Sequence, residues 1–191
     1  MIRRLVTLLL ATLPLVAVQP IRAQSAQPYA AQLSALFTTI QAGTTTVAGT
    51  GVELQQRFSR VYASEGFGAL SLGIGLQYSV HTKVKDKLQI AGLFLEPRWV
   101  PPIGSGPVFP YLSARLAAQR MKGQFQFAED GSTNGSAFGA GGGLALKLSR
   151  TANLDAGVQL VRQNFGTIGV LTFKPFTTYT AKIGVSLGYP R

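Results

Sequence analysis

Tyr179-Thr180-Ala181-Lys182-Ile183-Gly184-Val185-Ser186-Leu187-Gly188-Tyr189 is the stretch that decides the fold. Every second residue is apolar, from Tyr179 through Ala181, Ile183, Val185 and Leu187 to Tyr189. The residues between them are small or polar. A period of two puts the apolar set on one face of a β-strand. About ten residues is the length that crosses a bilayer as a tilted strand. The apolar face also begins and ends on tyrosine, a residue type that settles at membrane–water interfaces.

The pattern recurs along the chain. Phe67–Val80 is the most regular repeat, with Leu70, Leu72, Ile74, Leu76, Tyr78 and Val80 on one face and Ser71, Gly73, Gly75, Gln77 and Ser79 on the other. Gln32–Ile40, Thr50–Phe58, Leu88–Trp99, Phe109–Met121, Ala137–Ser149 and Leu154–Gln163 carry weaker versions. Apolar-out, polar-in alternation in about ten-residue segments is the signature of a closed sheet in lipid, where every backbone polar group must pair internally. The reading is an all-β, eight-stranded antiparallel up-and-down transmembrane β-barrel with short periplasmic turns. It occupies residues 32–191 after a short lead-in, 24–31.

Residues 1–23 read as a cleaved signal peptide. Met1-Ile2-Arg3-Arg4 is basic, Leu5 to Val18 is apolar but too short to span as a helix, and Ala23 offers a small residue at the cut, with Ala26 as the alternative. Removing it takes three arginines and lowers the formal charge from +11 to +8. The chain has no cysteine, so an exported protein has neither disulfides nor thiol chemistry. Many of its 22 glycines fall within the strand-like runs. They suit a narrow barrel, where they leave room for large neighbours on the crowded inner wall.

Connections and aromatics give an orientation. With a periplasmic amino terminus, the longest connections, 122–136 and 164–176, fall outside, and the turns at Pro101–Pro107 and Arg150–Asn153 fall inside. Short inner turns and longer outer loops are the outer-membrane rule. Phe58, Phe67, Trp99, Phe109, Tyr111 and Tyr189 then gather at the periplasmic end; Tyr78, Phe125, Phe127, Phe165, Phe176 and Tyr179 gather at the other. These make two aromatic girdles.

The order of "LSLGIGLQYSV", "LFLEPRWV", "PYLSARLAA", "GAGGGLALKLSRTANLDAGVQLV" and "AKIGVSLGY" resembles the small outer-membrane β-barrel proteins of the OmpA/OmpX-like type, across roughly residues 30–190. The resemblance implies a porin-like barrel in the envelope of a Gram-negative bacterium, delivered by the barrel-insertion machinery. Many such barrels finish on an aromatic that this machinery reads. Here Tyr189 stands two residues before the end.

Chemistry is sparse. His81 is the only histidine, which excludes a multi-histidine metal centre. It reads as an exposed loop residue, although a His81–Ser79 pair would share one face, as in barrel lipid A deacylases. Gly139–Gly143 lacks the Gly-Lys-Ser/Thr of a phosphate loop, and Glu129, Asp130 and Asn134 read as a solvated loop rather than a calcium site. No nucleic-acid motif accompanies the dispersed bases. No cofactor and no catalysis are expected.

Alternation sends Glu53, Arg57, Glu96, Arg98, Arg115, Lys147, Asp155 and Lys182 into the lumen. Buried charges there must pair, so a salt-bridge network plugging the barrel is expected. Lys83, Lys85 and Lys87, beside His81, read as an outer loop able to touch lipopolysaccharide phosphates. The partners are therefore outer-membrane lipid including lipopolysaccharide, with no nucleic acid, and the protein is expected to be a monomer. The function that follows is structural or interactive. The alternatives are a narrow anion-leaning channel and a secreted lipocalin-like ligand-binding barrel, which would reverse the facing of every strand.

Overall fold

The computed structural model describes residues 29–103, 107–126 and 130–188. The expected signal peptide, most of the expected lead-in, Phe127 and Tyr189 lie outside the described residues. The strands are β1 (Tyr29–Ala42), β2 (Thr45–Ser64), β3 (Gly68–Lys83), β4 (Asp86–Val100), β5 (Val108–Gln124), β6 (Gly131–Lys147), β7 (Ala152–Phe165), the two-residue β8 (Thr167–Ile168) and β9 (Leu171–Thr172), and β10 (Phe176–Leu187). Eight of them close into a barrel in the order β1-β10-β7-β6-β5-β4-β3-β2, while β8 and β9 pair only with each other. Closure is made by β1 against β10, antiparallel from Ala31↔Leu187 to Gln41↔Thr177.

The facing agrees with a barrel in lipid. On β10, Tyr179, Ala181, Ile183, Val185 and Leu187 are exposed, and Thr178, Thr180, Lys182, Gly184 and Ser186 are buried. Leu93, Leu116, Phe138 and Val158 are each more than half exposed on the outer wall, whereas Glu53, Arg57, Glu96, Arg98 and Asp155 are enclosed. A soluble lipocalin-like barrel requires the opposite arrangement.

The strands run well past the alternating segments. Residues 42–49, between the first two alternating segments, and 81–87, read above as an outer loop, are mostly strand; the turns shrink to Gly43-Thr44 and Val84-Lys85. Gly43 supplies the positive φ (60°) that such a turn needs, and Val84 takes φ 57° despite its branched side chain. β1 begins at Tyr29, inside the expected lead-in. The physical cause is that pairing continues beyond the lipid. There the outer face turns polar while the inner face turns partly apolar, as at Val47, so the period-two contrast is lost, while the neighbouring ladder still offers hydrogen bonds. β1 itself was faint because Leu36 and Ile40 point inward, which breaks its alternation. In β2 the register against β3 shifts between Phe58 and Tyr62, a bulge near the end that carries the chain termini.

Crowding inside explains several glycines. A Cβ at Gly157 would stand 2.5 Å from the Tyr111 hydroxyl, and one at Gly143 would stand 2.6 Å from it. These two residues face each other on β6 and β7, and together they make the slot that the tyrosine ring occupies.

Candidate functional site

The lumen is organised around one carboxylate. Glu96 projects inward from β4 between Phe94 and Arg98, and its side chain is wholly enclosed. Its Oε1 accepts from Arg57 Nη2 at 2.8 Å and Lys182 Nζ at 3.1 Å, with Arg98 Nη2 at 3.4 Å. Its Oε2 accepts from Arg115 Nη2 at 2.8 Å, Lys182 Nζ at 2.9 Å and Gln159 Nε2 at 2.6 Å. Donors thus converge from β2, β4, β5, β7 and β10. Strands far apart in sequence meet because a closed eight-stranded barrel is just wide enough for side chains to touch across it.

Two further carboxylates complete the cluster. Glu53 accepts from Arg115 at 2.5 Å and lies 3.6 Å from Lys182 Nζ. Asp155 Oδ1 is 2.8 Å from Arg98 Nη1. Glutamines and a serine hold the arginines in place: Arg57 donates to Gln55 at 2.9 Å and Ser71 at 3.1 Å, and Arg115 donates to Gln77 at 2.9 Å. Aromatic faces cover the guanidinium planes. Arg98 lies 3.8 Å from the Tyr111 ring centroid and Arg115 lies 4.0 Å from that of Phe94, geometry that favours a cation over a ring. Four cations and three carboxylates share a space from which water is nearly excluded. The pairs are multidentate, which is what keeps buried charge tolerable.

Towards the end away from the termini the lumen turns apolar. Ile40, Ile90, Met121, Phe165, Ile168 and Phe176 form one buried cluster, with Val47, Leu88, Phe125 and Phe173 against it. Ile168 belongs to β8, so the β8–β9 hairpin folds its apolar side chain over the mouth. Between this cap and the ion network is a cavity of about 20 Å³ lined in part by Thr38, Gln77, Ser79, His81, Arg115 and Gln163. It has room for about one water molecule.

Several expected positions are corrected. Lys147 is exposed at the end of β6 and joins no ion pair among the described residues, because inward parity at a barrel rim leads to open solvent rather than to the core. Tyr111 is enclosed in the lumen, not placed in a girdle. It shares parity with Ser113 and Arg115, and parity overrides residue type. Phe165 and Phe176 likewise turn inward and stack on each other at 5.9 Å in the cap, and Phe125 packs beside them. Among the aromatics expected at that end, Tyr78 and Tyr179 face outward. At the other end, Tyr62, Phe67 and Trp99 form an outer aromatic cluster, with Trp99 Nε1 donating to the Phe67 carbonyl at 2.7 Å. Phe109 is half-buried, on the inward parity of β5. His81 is enclosed rather than exposed, its Nε2 2.8 Å from Thr38 Oγ1, because β3 continues past it. Lys83 has inward parity opposite Asp86, and Lys85 sits at the turn tip. Lys87 alone of the three lies on the lipid-facing parity. The lumen role of Phe94, Gln77 and Gln159 was not singled out from sequence, although the alternation of β4, β3 and β7 places each of them on the inner face.

No protein-family model and no curated protein matches the chain. Solved structures do. Neisserial surface protein A is similar over 87% of this chain and 100% of its own, with a TM-score of 0.69 and 15% identity. Ail, the attachment invasion locus protein of Yersinia pestis, solved in complex with the heparin analogue sucrose octasulfate, is similar over 83% of this chain and 96% of its own, with a TM-score of 0.54 and 10% identity. At these identities the likeness concerns the fold: an eight-stranded barrel of the small outer-membrane type.

Proposed function

We propose that this chain is an integral outer-membrane barrel with a sealed lumen, serving a structural or interaction role in the envelope without catalysis. The observation that carries the reading is Glu96, bound at once by Arg57, Arg115 and Lys182 with Arg98 alongside. A conducting path would need these side chains to part. Separating them would leave enclosed charges without their partners, at a cost of several kcal/mol. The apolar cluster around Ile168 adds a second closure above it. Both features favour the plugged barrel over an anion-leaning channel.

The same geometry weighs against lipid modification. His81, the only histidine, is shut inside with Thr38 and presents no base to lipid along the outer wall. The exposed apolar wall and the likeness to outer-membrane barrels support the membrane location and the export that delivers the chain there.

The test is reconstitution in planar bilayers, after heat-modifiable gel mobility has established folding. The expected result is a folded barrel without conductance. Discrete conductance steps that lose anion preference in Arg98→Ala or Arg115→Ala would establish the channel instead.

A further inference from the structure

The outer wall carries a row of three cations at the end away from the termini. Lys87 on β4 and Arg120 and Lys122 on β5 all sit on the parity that faces lipid, continuing the rows of Leu93 and Leu95 on β4 and of Leu112 and Leu116 on β5. Arg120 and Lys122 are two residues apart on one face, about 7 Å. Lys122 lies opposite Gln89, so Lys87 is its diagonal neighbour across the strand pair, again about 7 Å away. The three cations therefore form a row along the outer wall, Lys122 in the middle and Arg120 and Lys87 at ends roughly 14 Å apart, a length that can serve one or two phosphate groups. Polar groups complete the rim: Arg120 reaches Ser132 Oγ at 2.6 Å from Nη2 and 3.2 Å from Nε, and Asn134 lies opposite Arg120.

None of the three cations joins an ion pair among the described residues. Every ion pair found there lies in the lumen. Asp86 and Asp130, the described acids at this end, are engaged by the backbone N–H groups of Gln126 and Phe125; Glu129 lies outside the described residues. Directly along the wall from the patch, Leu93, Leu116 and Phe138 are more than half exposed. Cations outside any ion pair and bordering exposed apolar wall match an amphiphile with an anionic head.

We propose that Lys87, Arg120 and Lys122 form a docking site for the phosphate headgroup of an anionic lipid in the adjoining leaflet, with its acyl chains along Leu93, Leu116 and Phe138. The proposal rests on the membrane reading above and moves the lipid contact from the β3–β4 turn to the outer wall of β4 and β5.

The experiment titrates the refolded full-length chain, in zwitterionic detergent, with phosphatidic acid and with the matching phosphatidylcholine. Heat-modifiable mobility checks the folding of each variant. Phosphatidic acid is expected to bind tighter, and K87Q/R120Q/K122Q to weaken it on the order of a hundredfold. K87R/K122R should keep the affinity, and K83Q/K85Q should leave it unchanged. Equal binding of the two lipids, or unchanged affinity in the triple variant, overturns the proposal. So does binding of a soluble polysulfated sugar, lost in the triple variant, without lipid preference; that result would assign the patch to a soluble polyanion. A chain that stays in solution without detergent sinks the membrane reading itself. A chain that inserts but shows no preference sinks this proposal alone.

Discussion

Lys182 and Glu96 meet across the inside of the barrel, the lysine ammonium 3.1 and 2.9 Å from the two carboxylate oxygens, although 86 residues separate them in the chain. Lys182 comes from β10, which closes the sheet against β1, and Glu96 comes from β4 on the far side of the sheet order. The contact exists only when the barrel is shut, so it ties lumen electrostatics to closure.

Glu96→Gln is expected to be the most damaging single change in the lumen. It leaves four enclosed cations facing two carboxylates, and removing one partner from such a buried set costs ~3–5 kcal/mol. Lys182→Met should cost less, since it brings three cations into balance with three carboxylates. Denaturant unfolding of the reconstituted barrel measures both. The reverse order would show that Lys182, not Glu96, is the hub.

The slot for Tyr111 predicts a specific coupling. Gly157→Ala places a Cβ against the tyrosine hydroxyl and should destabilise by ~1–3 kcal/mol, the usual cost of overpacking. Tyr111→Phe removes the oxygen that the Cβ meets. The double variant should therefore cost less than the sum of the singles, and a double-mutant cycle reads the difference. Simple additivity would mean that the Tyr111 hydroxyl is not what the added Cβ meets.

Ile168→Ser tests the cap. The side chain is buried at the barrel mouth, and truncation with an added hydroxyl should loosen residues 166–175 while leaving the ladder intact. Hydrogen exchange should speed up in that hairpin and remain slow in β3, β4 and β10. Because the ion network lies beneath, bilayers should stay non-conducting. A variant that conducts would show that the apolar cap, rather than the charges, seals the lumen.

Trp99 is the only tryptophan, so intrinsic tryptophan fluorescence reports the aromatic cluster with Phe67 and Tyr62. Lipids brominated near the headgroup should quench it more than lipids brominated at the chain ends, as expected for an interfacial ring. Equal quenching by both, or none, would remove Trp99 from the interface.

Legibility followed parity. Wherever one strand face meets lipid and the other a crowded lumen, as on β10 and β3, residue order alone gives the facing of each side chain. Glu53, Arg57, Glu96, Arg98, Arg115, Asp155 and Lys182 could be placed inside that way. Tyr111, Phe165 and Phe176 were misplaced by trusting aromatic character over parity. His81 was misplaced because a strand emerging from lipid loses its apolar rhythm, and Lys147 because parity says nothing about where the lumen ends.

The sequence by itself determined the class of fold and the sidedness of its strands, because a period of two in a chain with a lipid-facing surface has one low-energy closure. Which charges touch, that Glu96 is their centre, that a hairpin folds Ile168 over one mouth, and that Lys87 joins Arg120 and Lys122 were decided only by the tertiary structure. Register and shear set which residues from distant strands reach the same height. That alignment is a property of the closed sheet as a whole and is written in no single strand.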